Sequence, residues 1–443
     1  MELVTFNHKP YLAKNVDAAT PYIVAVRPHA ESVEIEWIYA NGGDGDKCNV
    51  HFSVDGGVSW QSFAAIGKTV QFAAPQDTEM VFFVECDGKQ SNIRKARTGL
   101  FPCEIVNYLH PNDKQYERSG NYLGSPSIAR LDDGTLFVLH DVFGEGEQNL
   151  SILFRSDDDG ATWQYVTDIF PLFWATLFVY DGKLCAVGCD REYGDMQVVA
   201  SDDNFTTWQG VTLGHGSFKT DLAGFHRSPD PVVEYGGRLW VAMEYGSWKR
   251  NEFCPSVWSI SLGDNILDAS KWQHTPNYKF DFSLDDTDAK WGGIEGNLVV
   301  APDGRLLNIL RHDKRDALVL EIDVNNPTSE LKYVGKMPFD LCYTKFHIQR
   351  VNTVYCAMGN PTPYRNRLDL YLSDDCNSWT KRATIVDMTE LSPEFNAAQY
   401  PSFVAHNGTL YTAVRVAACG AKNYHDSNCI CFCKYRIDYK VER

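Results

Sequence analysis

A short turn motif recurs along the chain and constrains its fold more than any other feature. The clearest copy runs from Ser156 to Trp163 and reads Ser-x-Asp-x-Gly-x-Thr-Trp. The Ser and Asp side chains can bond backbone N–H groups of a tight turn, and the Gly suits a positive φ. The Trp is then expected to bury its ring on the next strand. Related copies span 53–60, 201–208 and 373–379. A turn repeated in this way predicts a repeated β architecture.

A longer repeat starts near residue 103 and consists of a strand, a turn built on Asp-Gly or a near equivalent, and a second strand. Its copies occupy 125–140, 173–187, 230–244, 295–311, 345–358 and 400–415. Most are followed by a second strand pair that carries the Ser-x-Asp turn. Two hairpins in about 50 residues make one four-stranded blade. We therefore predict an all-β chain with a six-bladed β-propeller. Five or seven blades remain alternatives, because 263–293 could hold further structure.

The residues before this repeat have a different pattern. Alternating apolar and polar runs occur at 22–26, 33–37, 48–53, 69–72 and 80–85. Their spacing predicts a small antiparallel β-sandwich. The Trp37 position and the late run Val84-Glu-Cys-Asp-Gly-Lys89 resemble fibronectin type III domains over residues 20–98. We expect a sandwich domain at 1–100, acting as a spacer or packing module, and a propeller domain at 101–443.

Charge and leader signals limit the partners and the location of the chain. A net charge of -17 over 443 residues disfavours nucleic acid and anionic membranes as partners. Residues 1–10 lack a basic segment followed by an apolar run, and no stretch approaches the ~18 apolar residues of a membrane helix. A cytoplasmic location is expected, or secretion if a leader has been removed.

The 13 cysteines show no zinc-type spacing. Cys429, Cys431 and Cys433 alternate with apolar residues at strand period. This pattern predicts small buried side chains rather than metal ligands. We expect the cysteines of the chain to be reduced, and this expectation together with the lack of a leader signal is the basis for the cytoplasmic location.

Blade geometry predicts which residues meet at the propeller axis. The innermost strand of a blade begins at the face where the second strand ends, so residues at these two places converge on an axial pocket. The second strands end at His140, Asp141, Arg191, Tyr193, Glu244, Tyr245, Arg311 and Arg415, and the innermost strands begin at His226, Glu295, Lys345, Gln399 and Tyr400. This density of ionisable groups favours a glycan-binding or catalytic pocket over a solvated rim. Trp174, Tyr193, Trp248 and Trp291 could stack on sugar rings.

The repeated turns resemble the Asp-boxes, or BNR repeats, of the sialidase superfamily over residues 103–437. The copy at 156–163 matches every defining position, and the copy at 201–208 has Phe205 where Gly is usual. Asp-boxes lie at outer hairpins and mark the fold rather than the chemistry. The resemblance implies a propeller that acts on an oligosaccharide or polysaccharide.

Sialidases bind the substrate carboxylate with three arginines and use an Asp acid with a Tyr–Glu nucleophile pair. By this resemblance, Arg311 and Arg415 lie where two of the arginines could be, and Asp141 follows the first blade as the family Asp does. The first arginine normally precedes Ile-Pro, but 123–126 reads Leu-Gly-Ser-Pro. His226 lies near the place of a family glutamate. The resemblance therefore implies a glycosidase that is not a typical sialidase.

Three functions stay open. An exo-acting glycoside hydrolase for a terminal acidic or uronate-linked sugar needs a carboxylic acid of raised pKa and a second carboxylate, and its candidates are Asp141, Glu192, Glu244 and Glu295. A β-eliminating lyase needs a base, an acid and a cationic clamp. For the lyase, His140 or His226 is the candidate base, and Tyr193 or Tyr245 is the candidate acid. Arg311 and Arg415 would form the cationic clamp. Propeller lyases that act on rhamnose–glucuronate linkages are similar in architecture. The third function is non-catalytic glycan binding.

The remaining binding candidates are Arg191, Lys345, Gln399, Tyr400 and His425. His425 belongs to a loop at 423–428 that could return to the pocket mouth. No cofactor is required by these chemistries, and a structural cation such as calcium, held by oxygens of that loop, stays open. We expect Arg311→Ala and Arg415→Ala each to abolish activity on an acidic glycan and to leave thermal stability nearly intact.

Overall fold

The computed structural model describes residues 4–5, 19–39, 47–116, 119–146, 148–219, 221–284, 291–312 and 315–437. Within these ranges the regular structure is antiparallel β-sheet, apart from two short 3₁₀ helices at Ala269–Lys271 and Phe282–Leu284. No helix in the described ranges is both long enough and apolar enough to cross a membrane. The all-β prediction is confirmed.

Two sheets form the amino-terminal sandwich. One consists of β2 (Pro21–Pro28), β3 (Ser32–Tyr39) and β6 (Thr69–Ala73). The other consists of β4 (Cys48–Ser53), β5 (Gln61–Ala65), β7 (Glu79–Cys86), β8 (Lys89–Gln90) and β9 (Arg94–Arg97). Inward side chains alternate along the strands, and they include Ile35, Trp37 and Phe82. The likeness to fibronectin type III domains and the domain boundaries stay predictions.

A disulfide joins Cys48 to Cys86 in this sandwich. The expectation of reduced thiols is therefore wrong for this pair. It failed because the two cysteines are directly opposite on β4 and β7, a register that sequence spacing does not reveal. A disulfide is typical of oxidising compartments. This removes one of the two grounds for a cytoplasmic location, which stays a prediction.

Six further sheets have the order of propeller blades. Blade one is β11 (Tyr122–Arg130), β12 (Leu136–Phe143), β13 (Ser151–Ser156) and β14 (Gln164–Ile169). Blade two is β15 (Phe173–Tyr180), β16 (Lys183–Cys189), β17 (Met196–Ser201) and β18 (Trp208–Gly214), with β1 (Val4–Thr5) added at its outer edge. Blade three is β19 (Gly224–His226), β20 (Val233–Tyr235), β21 (Arg238–Ser247), β22 (Glu252–Ser261) and β23 (Gln273–His274).

Blade four is β24 (Ile294–Val300), β25 (Leu306–Arg311), β26 (Asp316–Ile322) and β27 (Lys332–Pro338). Blade five is β28 (His347–Val351), β29 (Val354–Gly359), β30 (Arg367–Ser373) and β31 (Thr380–Asp387). Blade six is β32 (Ala397–His406), β33 (Thr409–Ala417), β34 (Cys429–Arg436) and β10 (Glu104–Tyr108). The prediction of six blades is confirmed, and β23 with the two 3₁₀ helices occupies the described part of 263–293.

Blade six closes the ring because its strands come from both ends of the propeller. Strand β10 follows the sandwich directly and pairs antiparallel with β34. The sandwich packs beside this closure: its buried residues share one hydrophobic cluster with β10 and with blades five and six. The closing strand is thus held by hydrogen bonds on one side and by the sandwich on the other.

A buried ion network fastens the sandwich to blades one and six. The Arg27 guanidinium binds Glu34 at 2.7 Å and Glu36 at 3.0 Å, and its Nε donates to the Val106 carbonyl of β10 at 3.0 Å. Glu36 in turn accepts from the Tyr165 backbone N–H of β14 at 3.0 Å. Burial raises the pKa of Glu36, and the nearby Arg27 charge opposes that rise. The buried network is therefore stabilised only when Arg27 and Glu36 are both charged.

The turn at 156–163 forms the predicted hydrogen bonds. Gly160 has φ +85° and donates its N–H to Ser156 Oγ at 2.9 Å, while Asp158 accepts from the Thr162 N–H at 2.9 Å. It joins β13 to β14, the outer hairpin of blade one. Trp163 is only 3% exposed and packs against Phe432 of blade six. The turn thus ties neighbouring blades together.

The other copies depart from the pattern in instructive ways. The hydrogen bonds of the copy at 53–60 match, but this copy lies in the sandwich and Trp60 is 41% exposed. The reason is that this hairpin has no adjacent blade to cover it. In the copy at 201–208 the capping carboxylate is Asp202 rather than Asp203, and Phe205 takes the positive φ of +62°.

We predict that Arg27→Met will lower the free energy of unfolding by about 3–5 kcal/mol, because it leaves the Glu36 carboxylate buried without its partner. Urea titration followed by tryptophan fluorescence measures this loss. The exposed pair of Arg250 and Glu252 supplies the control, since Arg250→Met should change stability by less than about 0.5 kcal/mol. Equal effects of the two substitutions would contradict the proposed role of the network.

Candidate active site

The same backbone irregularity occurs at the start of four innermost strands. In blades one, two, four and six the pairing of the first two strands shifts register by a bulge. Each bulge contains one non-glycine residue with positive φ: Ser125 (48°), Trp174 (54°), Glu295 (56°) and Tyr400 (53°). Such residues are uncommon, and bulges near active sites re-aim side chains. The four side chains thus occupy equivalent places around the propeller axis.

Glu295 and Arg311 form a buried ion pair at this face. Arg311 Nη1 donates to Glu295 Oε2 at 3.0 Å, and its Nη2 donates to the Tyr343 carbonyl at 3.3 Å. Burial alone disfavours the guanidinium charge, but Glu295 outweighs it and raises the pKa of Arg311. The carboxylate of Glu295 thus stabilises the charged guanidinium of Arg311, and both residues were predicted from sequence.

Arg415 lies in an aromatic cage beside this pair. Its guanidinium carbon is 5.5 Å from the ring centre of Tyr122, 5.7 Å from that of Phe143 and 5.4 Å from that of Tyr400. Nη2 donates to the His425 carbonyl, whereas Nε has no hydrogen-bond partner among the described residues. Burial lowers the pKa of Arg415. A cation held by ring faces, with an unused N–H, is suited to bind an anion.

Arg365 brings a third guanidinium to the cluster. It lies in the loop between β29 and β30, and its Nη1 donates to Gln399 Oε1 at 2.8 Å. Burial raises the pKa of Tyr400 and Glu295 adds to the rise, whereas Arg311, Arg365 and Arg415 oppose it. Tyr400 therefore lies within the electrostatic reach of one carboxylate and three cations. Its phenolate would be stabilised by these cations if formed.

His226 and Glu244 form a second pair, in an aromatic wall. His226 Nδ1 lies 3.4 Å from Glu244 Oε2, and Glu244 Oε1 accepts from the Gly296 N–H at 3.2 Å. The imidazole lies 4.7 Å from Trp174 and 6.5 Å from Tyr193, measured between ring centres. Glu244 favours the tautomer with a proton on Nδ1, which leaves Nε2 as an acceptor. This geometry suits a general base.

Two carboxyl groups at this face have raised pKa values. Burial raises the pKa of Asp141 to about 8, and its oxygens accept from the Trp174 N–H at 2.8 Å and from Ser151 Oγ at 2.6 Å. Burial also raises the pKa of Glu192, which accepts from Gln148 Nε2 at 2.7 Å. Asp141 holds the bulge of blade two in place. Glu192 is less buried and interacts electrostatically with His226.

Lys345 lies beneath the cluster and is fully buried. Its Nζ donates to the carbonyls of Pro229 at 2.8 Å and Pro401 at 2.6 Å, and it lies 3.8 Å from Asp230 Oδ1. Burial lowers the pKa of Lys345 to about 8. The structure thus places this predicted binding residue against main-chain oxygens of blades three and six.

Several predicted residues lie apart from the cluster. His140 is buried against Phe154, its Nε2 is 3.1 Å from Asn107 Nδ2, and burial lowers its pKa to about 4. Tyr245 packs on Phe225. It lies on the opposite side of β21 from Glu244, since adjacent residues of a strand face opposite sides. The expected convergence of Tyr245 with Glu244 is therefore not seen.

The remaining predicted residues line the rim or support it. Arg191 pairs with Asp190 at 3.1 Å and is exposed. Gln399 is fully buried between Arg365 and the Tyr424 carbonyl. His425 Nδ1 lies 2.9 Å from Asp426 Oδ1 beside the Arg415 cage. Gln399 and His425 thus support Arg365 and Arg415, whereas Arg191 contacts Asp190 and Phe218.

The sequence-based search missed Ser125 and Arg365. Ser125 lies in the Leu-Gly-Ser-Pro segment, which the sequence comparison used only for its lack of an arginine. A serine does not indicate a positive φ, so this conformation could not be predicted from the residue type. Arg365 lies in the loop after β29, beyond the strand ends at which the blade pattern predicts axial residues. A wider search of the loops that follow second strands would have found it.

No group of three or more His, Cys, Asp or Glu side chains that could hold a metal ion occurs within the described ranges. In the loop at 423–428, Asn423 Nδ2 donates to Asp426 Oδ2 at 3.0 Å. A cation there stays a prediction.

No protein-family model matches the chain. No curated protein matches it either. Among solved structures, the chain is similar to a Trypanosoma rangeli sialidase in complex with 2,3-difluorosialic acid, at 15% identity and a TM-score of 0.49. The match covers 74% of this chain and 57% of that one. A Clostridium thermocellum exo-β-1,3-galactanase matches at 10% identity and a TM-score of 0.40, over 62% of this chain and 60% of that chain.

We predict that Asp141→Asn will flatten the pH dependence of stability. The folded pKa of Asp141 is about 8 against an ordinary 3.8, so its contribution is present below about pH 4 and is lost as pH rises through 8. Between about pH 5 and pH 7 the wild-type protein should lose about 2–3 kcal/mol relative to the variant. Urea titrations at both pH values measure this difference, and parallel pH profiles would contradict the predicted protonation.

Proposed function

We propose that the protein is an exo-acting glycoside hydrolase that removes a terminal acidic sugar in the axial pocket. The observation that carries this proposal is the group formed by Glu295, Arg311 and Tyr400 with the guanidinium groups of Arg365 and Arg415. It combines a carboxylate, a phenol and an excess of positive charge at one mouth of a negatively charged protein. Such a mouth attracts an anionic sugar locally.

In this proposal the arginines bind the substrate carboxylate. Arg415 has an N–H without a partner in the described part of the chain, and its aromatic cage fixes the guanidinium plane. Guanidinium groups bind carboxylates with parallel hydrogen bonds. Arg311 is already paired with Glu295, so it orients that carboxylate and adds charge. Trp174 supplies an apolar ring face for the sugar.

The bond cleavage is assigned to Tyr400, Glu295 and Glu192, in line with the sialidase-like pattern of a Tyr–Glu nucleophile pair and a separate acid. Glu295 accepts the phenolic proton, Tyr400 Oη attacks the anomeric carbon, and Glu192 donates a proton to the leaving oxygen. A water that gives its proton to Glu192 then attacks the anomeric carbon, the bond to Tyr400 Oη breaks, and Glu295 returns the proton to Tyr400, so the sugar leaves with retained configuration. Glu192 is preferred to Asp141 as the acid because both Asp141 oxygens are occupied by bonds to the scaffold.

We predict that Arg415→Met will lower kcat/KM for a terminal acidic sugar by at least about 100-fold while it keeps the Tm, because loss of a charge-assisted pair costs about 3 kcal/mol of binding. Hydrolysis of acidic chromogenic glycosides measures this. The exposed Arg191→Met is the control and should keep near-wild-type activity.

Arg311→Ala, in contrast, should lower both activity and Tm, because it leaves Glu295 buried without its partner. This differs from the expectation drawn from sequence that stability would stay nearly intact. If Arg415→Met and Arg191→Met have equal activity, the proposed carboxylate site is wrong.

A β-eliminating lyase is the second candidate, and the His226–Glu244 pair beside Tyr193 favours it. His226 Nε2 would remove the C5 proton of a uronate, and Tyr193 would protonate the leaving oxygen. Burial raises the pKa of Tyr193 to about 12, which keeps the phenol protonated for that role.

The products separate these functions. Incubation with a library of acidic oligosaccharides, followed by mass spectrometry, gives a saturated sugar and a gain of water for the hydrolase. The lyase gives an unsaturated uronate with ultraviolet absorbance and no added water. We expect saturated products that are lost in Tyr400→Phe and retained in His226→Gln; the reverse pattern would favour the lyase. Binding of a glycan without any product would favour the non-catalytic alternative.

A further inference from the structure

Two cysteines lie at the point where the propeller ring closes. Strand β10 pairs with β34 so that Glu104 is opposite Phe432 and Ile105 is opposite Cys431. Cys103 directly precedes β10, so the register continued by one residue places it opposite Cys433, and the two side chains are in contact. These two positions are 330 residues apart in the sequence. The register alone brings them together.

The sandwich shows what this register permits. Cys48 and Cys86 are also opposite each other on antiparallel strands, and they form a disulfide with a Cα–Cα separation of 4.4 Å. Opposite residues of antiparallel strands have Cα atoms about 4.5–5.5 Å apart. That separation falls within the range that a disulfide can span. By the register of β10 and β34 we expect a similar separation for Cys103 and Cys433.

Both residues are partly exposed, unlike the two cysteines that precede Cys433 on β34. Cys103 and Cys433 are half-buried, whereas Cys429 and Cys431 on the same strand are fully buried. Cys103 and Cys433 pack against the same hydrophobic cluster, which places them on the same face of the sheet. We expect a small oxidant to reach this pair, because both residues are partly exposed.

We propose that Cys103 and Cys433 are a site of covalent modification, where thiol–disulfide exchange with a small-molecule disulfide forms a cross-link that latches the propeller ring. One thiolate attacks the small disulfide, forms a mixed disulfide and releases one small thiol. The second cysteine attacks the mixed disulfide, forms the Cys103–Cys433 bond and releases the other thiol. The protein thiols lose two protons and two electrons in total, and the small disulfide gains them.

The Cys103–Cys433 cross-link would hold β10, the strand that closes the ring, to β34. Contact with the Cys103 thiol and burial raise the pKa of Cys433, so the cross-link should form slowly at neutral pH and faster as pH rises. Once formed, it closes a loop that contains nearly the whole propeller. Cross-links across long loops constrain the unfolded chain most.

The test is incubation of the folded protein with oxidised glutathione, alkylation of the remaining thiols and peptide mass spectrometry. We expect one new cross-linked peptide pair, Cys103–Cys433, and a rise in Tm of at least about 5 °C over the untreated protein. Cys103→Ser and Cys433→Ser should each abolish both changes. Cys254→Ser, at another half-buried cysteine in blade three, should retain them.

Circular dichroism before oxidation checks that each variant is folded. If a serine variant does not fold, the wild-type peptide map decides. The proposal is overturned if the oxidised wild-type protein carries glutathione on Cys103 or Cys433 without a cross-link between them. It is also overturned if either cysteine pairs with Cys419 or Cys431, or if only Cys48–Cys86 is found.

Discussion

The pairing of β10 with β34 is the interaction on which the rest of the structure depends. A propeller blade gains its neighbours only when the ring is closed, and here the closing strand is the segment that leaves the sandwich. The sandwich and the ring are therefore joined by more than a linker. Arg27 links the two directly, because its guanidinium binds carboxylates of the sandwich and also a backbone carbonyl of β10.

Closure also fixes the geometry of the pocket. The four bulges with positive φ stand at equivalent places of four innermost strands, so their side chains have a common orientation toward the axis. Backbone strain of this kind persists only where surrounding structure imposes it. Asp141 provides such support by accepting from the Trp174 N–H, and Glu244 does so at Gly296, next to Glu295. Catalytic candidates and supporting residues thus alternate around the ring.

The repeat pattern in the sequence was sufficient for the fold and for part of the site. Turn spacing located the blades, and the blade register brought Glu295, Arg311, Tyr400 and Arg415 to one face. The repeat pattern did not show which residue at the end of a strand points toward the axis. Tyr245 and Glu244 are adjacent, and they lie on opposite sides of β21. Positive φ at a serine and contacts between distant loops, as for Arg365, are set by tertiary structure and leave no local pattern. The Cys48–Cys86 bond was missed for the same reason.

Lys345 gives the pocket a floor. Its ammonium group donates to Pro229 of blade three and Pro401 of blade six, and blades three and six stand opposite each other in a ring of six. The nitrogen therefore lies near the propeller axis, where it joins the two blades. In the proposed hydrolase, an ammonium group at this position would confine a substrate to one face of the ring, which suits the end of a glycan chain better than its middle.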